Sequence, residues 1–283
     1  MDWCAIITDS LKDALNLFVF LLMTYLVLEY WEQKGKARSL ALISRAGFLG
    51  PVGGALAGLI PQCGFSAAAA NFFAARVITG GTLLAVFLST SDEMLPILIS
   101  KGVATEIILK IMGLKFVIAV LAGWGYNLIK REQILTPDME SLCEREDCHC
   151  EDGGIFKAAL MHAVKITLFV LIISIILGSG IEFWSKYKLD LLIFSRPISG
   201  PMITALIGLI PNCSASVAIT QMWAEGIITF GELAAGVLAG GGIGLLVLFR
   251  VNANRWENVK IAVILYLIAA ISGIIIDFLP INL

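Results

Sequence analysis

The stretch that decides the fold reads GLIPQCGFS over residues 58–66, and it recurs as GLIPNCSAS over residues 208–216. The two copies lie 150 residues apart, and a Gly-Pro pair that begins at Gly50 or Gly200 precedes each of them at the same distance. The correspondence continues downstream without a gap, which indicates a duplication rather than a chance match. In secondary transporters, a duplicated and proline-interrupted apolar segment is the best sequence pointer to the binding site.

The composition is typical of a polytopic membrane protein. Of the 283 residues, 58% are hydrophobic and 15% are charged, with a mean hydropathy of +0.90. Soluble domains average about 45–50% apolar and about 25% charged residues. Because helices and closed barrels are the structures that span a bilayer, the long apolar runs predict an all-α fold in lipid. The net charge is −2 and the sequence has no basic stripe, so we expect no nucleic-acid partner.

The chain divides into two transmembrane repeats joined by a polar linker. We assign residues 1–130 to the first repeat, residues 131–156 to the acidic, Cys-containing linker and residues 157–283 to the second repeat. The first span, residues 11–29, is expected to stay in the protein, because the N-terminus lacks the basic region of a cleavable signal. Further apolar spans are predicted over residues 77–99, 111–129, 158–181, 227–249 and 259–279.

The repeated segment is too short on either side of its proline to span a membrane. Residues 50–60 and 63–75 give about 11 and about 13 positions, against the ~20 that a ~30 Å hydrocarbon core requires. Pro61 lacks a backbone donor and disfavours helix at the residue before it, so the chain should break there. Irregular backbone at membrane depth is tolerated only inside protein or beside a cavity. We therefore expect a re-entrant or discontinuous helix pair in each half, with the tips meeting at the membrane midplane.

Each tip carries a thiol between an amide and a hydroxyl. Cys63 or Cys213 begins the second half-helix, whose positive end favours the thiolate, the form that binds metal. An alternative is a small apolar cysteine packed in a core. Asn71 and Gln221 lie one to two helical turns after the tips. They either line a cavity or form hydrogen bonds between helices. The other candidate ligands at the tips are Gln62, Asn212, Ser66 and Ser216.

Asp92 and Glu93 are the only adjacent acid pair within an apolar span. Carboxylates at membrane depth are costly, normally face a cavity, and mark an ion path or carry a proton. With Ser89, Ser91 and the tip residues they form a donor set that suits Mn²⁺, Fe²⁺ or Zn²⁺.

The counterpart of the acid pair in the second half carries no acid, since residues 240–244 read GGGIG. The first half thus supplies charged side chains, and the second half supplies glycine backbone and open space. The alternative to a ligand role is an ion pair between helices, for example Asp92 with Arg76. Arg250 closes a span and is interpreted as an interface anchor.

The linker holds a second cluster of candidate metal ligands, namely Cys143, Cys148, His149 and Cys150. A Cys-x2-Cys pair with a distant partner pair is missing, which makes the zinc-site signal weak. Metal collection by this loop and a solvated linker that happens to contain thiols both stay open.

Two topologies fit the sequence. If each proline-broken unit is a re-entrant hairpin, the halves are inverted, and Arg76, the loop 130–157 and residues 250–260 share the cytoplasmic face. If each unit is one broken span, the halves are parallel and the loop moves outside. The count of basic residues slightly favours the parallel arrangement. The half-helix lengths favour inversion, as does a thiol-containing loop that is easier to keep reduced in the cytoplasm.

Four motifs carry a family resemblance: LIPQC at 59–63, TSDEMLP at 90–96, LIPNC at 209–213 and GLLVLFRVN at 244–252. They resemble the bacterial ten-helix heavy-metal exporters, whose members bear the names manganese transporter and arsenic efflux protein. Counting each half-helix separately gives ten segments here as well. The resemblance extends over nearly the whole chain and implies efflux of a metal or metalloid from a bacterial cytoplasm.

The favoured function is therefore secondary active export of a divalent transition metal, with Mn²⁺ first, by proton antiport and alternating access. The sequence has no Gly-x4-Gly-Lys-Ser/Thr motif, so ATP is not expected to drive transport directly. Arsenite efflux is the first alternative, in which the thiolates of Cys63 and Cys213 dominate. A membrane thiol oxidoreductase is the second, although its usual Cys-x-x-Cys spacing is missing. A passive channel needs only the same cavity.

We expect no enzymatic activity and no cofactor other than the transported ion itself. The expected partners are a metal ion, protons and the lipid bilayer, and homo-oligomerisation stays open. The expected location is the bacterial plasma (inner) membrane.

Overall fold

The computed structural model describes residues 49–61, 63–91, 94–130 and 198–279, with scattered positions between 11 and 26 and between 160 and 175. These residues form helices and connecting turns, without strands. The first repeat contains α1 Gly50–Gly58, α2 Cys63–Ala74, α3 Gly80–Ser89, α4 Met94–Ser100 and α5 Thr105–Lys130. The second repeat contains α6 Ser199–Gly208, α7 Cys213–Ala224, α8 Phe230–Ala239, α9 Gly242–Val251 and α10 Arg255–Phe278.

The described helices of the two repeats follow the same order and pack in the same way. In the first repeat α3 lies between α1 and α5, and in the second repeat α8 lies between α6 and α10. The short helices before Pro61 and Pro211 have nearly the bounds that the sequence predicts. Buried side chains form a large core cluster and a smaller second cluster, and each cluster contains residues of both repeats.

Within the described ranges, four stretches are long and apolar enough to cross a membrane: Gly80–Ser100, Thr105–Lys130, Phe230–Val251 and Arg255–Phe278. Their mean hydropathies lie between 1.5 and 2.6. The first and third of these spans are 81% and 83% buried inside the protein, against 33% for the other two. Gly80–Ser100 and Phe230–Val251 are therefore central, and α5 and α10 form part of the outer, lipid-facing layer. The part of the chain that the structure describes is all-helical, and the protein is a polytopic membrane protein, as predicted.

Two further predicted spans, residues 11–29 and 158–181, are described only in part. Their described positions are helical, and Leu21, Ala163 and Ile166 are fully buried in the common core. The remainder of these spans lies outside the described residues.

Both central spans are interrupted near their middles. The first break lies between Ser89 and Met94, where the sequence predicts an interruption. The second span was predicted to be continuous over 227–249, but α8 ends at Ala239 and α9 begins at Gly242. Glycine is a poor helix former, and Gly242 adopts a φ of +55°, which other residues rarely accept. The glycine run therefore breaks the second span.

The same threonine cap begins both central spans. The hydroxyl of Thr79 accepts a hydrogen bond from the backbone N–H of Thr82 at 3.2 Å, and Thr229 accepts one from Glu232 at 3.2 Å. Such caps satisfy a backbone donor that the first turn of a helix leaves without a partner. In the second repeat Glu232 also accepts from the backbone of Thr229, which completes a capping box.

Each short helix before the proline runs in the same direction as the central span beside it. A Cβ added at Gly54 would lie 2.9 Å from the Thr82 carbonyl oxygen, and one at Gly58 would lie 2.6 Å from that of Val86. In the second repeat Gly208 approaches Gly236 in the same manner. Helices α1 and α3 therefore end at the same level, and so do α6 and α8.

The outer spans approach the central spans through repeated glycines. A Cβ at Gly123 would lie 2.6 Å from the Gly81 carbonyl oxygen and 2.7 Å from Pro51 Cβ. Gly273 makes the corresponding approach to Gly231 in the second repeat. One turn later the side chains of Asn127 and Asp277 accept hydrogen bonds from the backbone N–H groups of Gly81 and Gly231, at 3.1 and 2.9 Å. Small residues of this kind permit close packing of membrane helices.

We predict that Gly123→Ala destabilises the protein by about 1–3 kcal/mol, because the new methyl group meets backbone and side-chain atoms that cannot both move away. Gly125→Ala is the matched control on the same helix, since nothing lies within 4 Å of its Cβ position. The control should be neutral or more stable by up to about 1 kcal/mol through helix propensity. Thermal unfolding of the detergent-solubilised protein measures both, and equal melting temperatures would contradict the packing described.

Candidate functional site

A small cavity lies where the two helix breaks meet. Both repeats contribute to its wall, since α5 and the first break come from one repeat, and α7, α8 and the second break come from the other. The lining residues are Thr90, Ser91, Met94, Lys115, Ser216, Val237 and Gly240. Concave sites built where the halves of a transporter meet are the usual location of its cargo.

Among the described residues that line this cavity, Lys115 is the charged one, and its accessible surface is 2%. It lies in the middle of α5, and its Nζ donates hydrogen bonds to the carbonyl oxygens of Thr90 and, at 3.0 Å, Val237. These two carbonyls belong to the ends of α3 and α8. The N–H of Gly241, four residues after Val237, bonds to the Ala239 carbonyl at 2.7 Å, so the helix does not itself use the Val237 oxygen. Lys115 thus supplies donors to carbonyls that the breaks remove from regular helix bonding.

Lys115 is not among the candidate site residues that the sequence predicts. The available signal was a single lysine inside the apolar run 111–129, and an ionisable residue at such a position is by default a functional-site candidate. The repeat-related position, 150 residues later, is Leu265, which is fully buried in the core. The cationic side chain therefore belongs to one half of the duplication, as the acid pair does.

Three hydroxyl groups at the first break bond to carbonyl oxygens of α3, although one of these carbonyls, that of Val86, already accepts the backbone N–H of Thr90. Ser89 Oγ lies 2.9 Å from the Ala85 carbonyl oxygen, and Thr90 Oγ1 donates to the Val86 carbonyl at 2.8 Å. Ser91 Oγ donates to the carbonyl oxygen of Ser89 at 2.9 Å. Of the predicted serine ligands, Ser91 and Ser216 line the cavity, whereas Ser89 is buried and bonded to its own helix.

The helix after each proline packs against the interrupted span of the other repeat. Helix α2 contacts α9, and α7 contacts α4. Ser66 is fully buried, and a Cβ at Gly244 of α9 would lie 2.6 Å from its carbonyl carbon. Ser216 lies beside the second break, where a Cβ at Gly240 would be 3.4 Å from its hydroxyl oxygen.

Cys63 and Cys213 are the first residues of α2 and α7, as predicted. The placement of their thiols lies outside what the structure describes. Asn212 is half-buried in the turn before α7, where its backbone N–H donates to the Ile210 carbonyl at 2.7 Å.

The two candidate lining amides have different environments. Asn71 is fully buried and its Nδ2 donates to the Ala67 carbonyl at 3.0 Å, within its own helix. Gln221, at the matching position of α7, is exposed. Arg250 lies at the end of α9 with its guanidinium 5.5 Å from the centre of the Phe169 ring, which is compatible with an anchoring role.

Several predicted ligands lie outside the described residues, namely Gln62, Asp92, Glu93, Cys143, Cys148, His149 and Cys150. Among the residues that are described, no group of three or more His, Cys, Asp or Glu side chains could hold a metal ion. The acid pair follows Ser91 directly in the chain, next to a residue that lines the cavity. The metal-ligand set therefore stays a prediction.

Ion pairs join the two repeats at both ends of the central spans. Glu257, at the start of α10, pairs with Arg76 at 3.1 Å and with Lys130 at 3.2 Å. Its side chain is only 10% exposed, and Asn252 Nδ2 also donates to it at 3.2 Å. At the other end Lys101 pairs with Glu225 at 3.2 Å, with 41% and 53% of the two side chains exposed. Arg76, which was the alternative partner for Asp92, thus has an ion pair with Glu257.

These features define the class: a polytopic α-helical membrane protein with two interrupted central spans and a polar cavity between the interruptions. The sequence model of a family described as "Putative, 10TM heavy-metal exporter" matches residues 2–191, and the chain belongs to this family. It is accordingly a transporter of the heavy-metal exporter class. The match ends before the second proline motif, which the resemblance noted above had included. No curated protein and no solved structure matches the chain.

We predict that Lys115→Met lowers the stability by about 2–6 kcal/mol, because two buried carbonyl acceptors each lose a donor at roughly 1–3 kcal/mol. The matched control is Leu265→Met at the repeat-related position, where a volume-conserving change should cost less than about 1.5 kcal/mol. Melting temperatures of the two purified variants provide the measurement. A Lys115→Met protein as stable as the control would show that the hydrogen bonds of the lysine to the two carbonyls do not stabilise the helix breaks.

Proposed function

We propose that this protein is a secondary active exporter whose cargo binds in the cavity between the two helix breaks and crosses by alternating access. The observation that carries the proposal is that both repeats build this cavity at the interrupted middle of their central spans. Broken helices in matched positions of two halves form the binding sites of many secondary transporters. The family assignment supports export of a heavy metal by a transporter rather than thiol oxidoreductase chemistry.

We infer that the two repeats are inverted. The ion pair of Arg76 with Glu257 brings the start of α3 near the end of α9, and the pair of Lys101 with Glu225 brings the end of α4 near the start of α8. Two central spans that are antiparallel in this way support the inverted arrangement over the parallel one. Arg76, Lys130 and the basic residues near Glu257 then share one face, which we assign to the cytoplasm of a bacterial plasma (inner) membrane.

The short helix pairs are then re-entrant hairpins that enter from opposite faces. Helix α1 runs alongside α3 from its start to its break, and α2 returns toward the same end before Gly80. Helices α6 and α7 do the same beside α8 in the second repeat. This geometry supports the midplane meeting of the two proline tips, and it leaves each tip in contact with the interrupted span of the other half.

The charge of the cargo depends on the balance between Lys115 and the acid pair. With an effective dielectric constant of ~20, two unit charges about 4 Å apart interact by about 4 kcal/mol. A divalent ion at that distance from the ammonium would be repelled by about 8 kcal/mol, and two carboxylates would attract it by about 16 kcal/mol. Export of Mn²⁺ or a similar ion therefore requires both Asp92 and Glu93 to be charged and close. Counter-transported protons are then carried by the same carboxylates.

Lys115 favours a second candidate, an uncharged metalloid such as arsenite. Its ammonium does not repel a neutral cargo, and trivalent arsenic binds thiolates. Cys63 and Cys213, which begin the helices at the two tips, then supply the main ligands. The acid pair in this case neutralises Lys115 rather than binding the cargo.

We expect expression of the protein in a metal-sensitive host to separate the two cargoes. For a divalent metal, Asp92→Asn should abolish manganese resistance, because removing one of two carboxylates leaves the site with no net negative charge. For arsenite, Cys63→Ser should abolish resistance and Asp92→Asn should reduce it less. Cys4→Ser, which removes a thiol outside every candidate site, is the control for loss of a thiol. Manganese resistance that survives Asp92→Asn unchanged would exclude the divalent-metal assignment, and full resistance to both cargoes in Cys63→Ser would exclude the thiol site.

Alternating access predicts opposite effects when the two ion pairs are broken. Glu257→Gln should increase the labelling of a Ser216→Cys probe by a membrane-impermeant maleimide from the cytoplasmic face, and Lys101→Gln should increase it from the other face. The native cysteines are replaced in this background. The first effect should be larger, because the Glu257 carboxylate is only 10% exposed and has several partners, whereas exposed ion pairs contribute little.

The control for this experiment is Glu106→Gln, which breaks an ion pair with Lys110 within α5 and joins no two elements. It should leave labelling unchanged from both faces. Equal effects of Glu257→Gln on labelling from the two faces would contradict a role of the cluster in closing one side.

A further inference from the structure

Lys115 Nζ lies at the point where the carbonyl ends of α3 and α8 converge. In transporters with interrupted helices, unwound carbonyls and the C-terminal ends of half-helices coordinate the coupling Na⁺ or proton. We propose that the Lys115 ammonium is a tethered cation that permanently occupies such a coordination position, so that cargo movement does not use Na⁺. This inference rests on the proposed alternating-access function, whose coupling it concerns.

The geometry of the contacts supports a cation at this position. Nζ donates to carbonyl oxygens from two different repeats, those of Thr90 and Val237, which are 147 residues apart in the chain. Both α3 and α8 are 10 residues long and end at the break. The end of a helix carries about half a negative elementary charge on its last carbonyls, so two ends together offset roughly one positive charge. One ammonium is the charge that this pair of helix ends accommodates.

The position is also asymmetric between the repeats. The lysine of α5 is replaced in α10 by Leu265, and a Cβ at Gly241 would lie 3.3 Å from its Cδ2 atom. An apolar side chain thus fills the repeat-related place beside the second break. The described residues provide one cation position where a symmetric duplication would provide two, and the side chain of Lys115 fills it.

The test measures thermal unfolding of the purified full-length protein without cargo, in NaCl, KCl or choline chloride at equal ionic strength. The wild type should have the same melting temperature in all three salts. Lys115→Ala should leave the carbonyls around an empty space, so Na⁺ at about ten times its dissociation constant should raise the melting temperature by about 3–6 °C relative to choline. Leu265→Ala is the matched control, because it truncates a fully buried apolar side chain at the repeat-related position, and it should show no difference between salts.

Three results would overturn the proposal: a Na⁺-specific stabilisation of the wild type, no difference between NaCl and choline chloride for Lys115→Ala, or an equal difference for Leu265→Ala. If Lys115→Ala does not fold in choline chloride, its recovery as folded protein in NaCl supports the proposal. Failure to fold in both salts, with Leu265→Ala folded, counts against it.

The outcome is separable from that of the proposed function, because the melting temperature is measured without cargo. Loaded vesicles that show no metal or metalloid flux, together with a Na⁺ effect confined to Lys115→Ala, would reject the export function and keep the cation position. Flux of the wild type that needs a Na⁺ gradient would reject the cation position and leave export intact.

Discussion

The rest of the structure depends on the need to satisfy backbone groups at two helix breaks inside the membrane. An unpaired carbonyl in hydrocarbon costs several kcal/mol, and each break removes several carbonyls from regular helix bonding. At the first break the Ser91 hydroxyl bonds to the Ser89 carbonyl, whereas the hydroxyls of Ser89 and Thr90 bond to carbonyls one turn earlier in α3. The second break consists of Gly240 and Gly241, which carry no side-chain donor. Lys115 reaches both breaks from α5 and gives them a shared donor.

This constraint explains why two similar halves carry different residues. A duplicated scaffold needs its close glycine contacts and its threonine caps in both copies, and Gly123 with Gly273 and Thr79 with Thr229 preserve them. The residues at the middle of the two copies can differ, because a hydrogen-bond donor from one copy can satisfy backbone carbonyls of both copies. The first copy thus carries the lysine and the acid pair, and the second carries glycines and Leu265. The charged residues at the middle of the protein, namely the lysine and the acid pair, therefore come from one of its two similar halves.

The amino-acid sequence predicted the short helices and the first break, but it did not predict the second break or the role of Lys115. The proline motifs predicted the short helices because proline acts through local backbone geometry, and the acidic stretch predicted the first break. The second break was not predicted, because glycines within an apolar run are as typical of a helix-packing surface as of a helix interruption. Lys115 was missed because its role depends on carbonyls far away in the chain. The Glu257 cluster, which joins Arg76, Lys130 and Asn252, likewise depends on tertiary contacts that no local pattern reports.

The positions of the charges limit what the cavity can carry. Helices α2 and α7 begin at the proline tips, and their positive ends face the middle of the protein together with the ammonium of Lys115. The ends of α3 and α8 offset these charges only in part, since their carbonyls already bond to the lysine. A bare cation is therefore unfavourable in this cavity unless acidic side chains join it, and a neutral cargo meets no such barrier. On the proposed function, the acid pair that follows Ser91 is thus expected to decide between a metal cation and an uncharged metalloid.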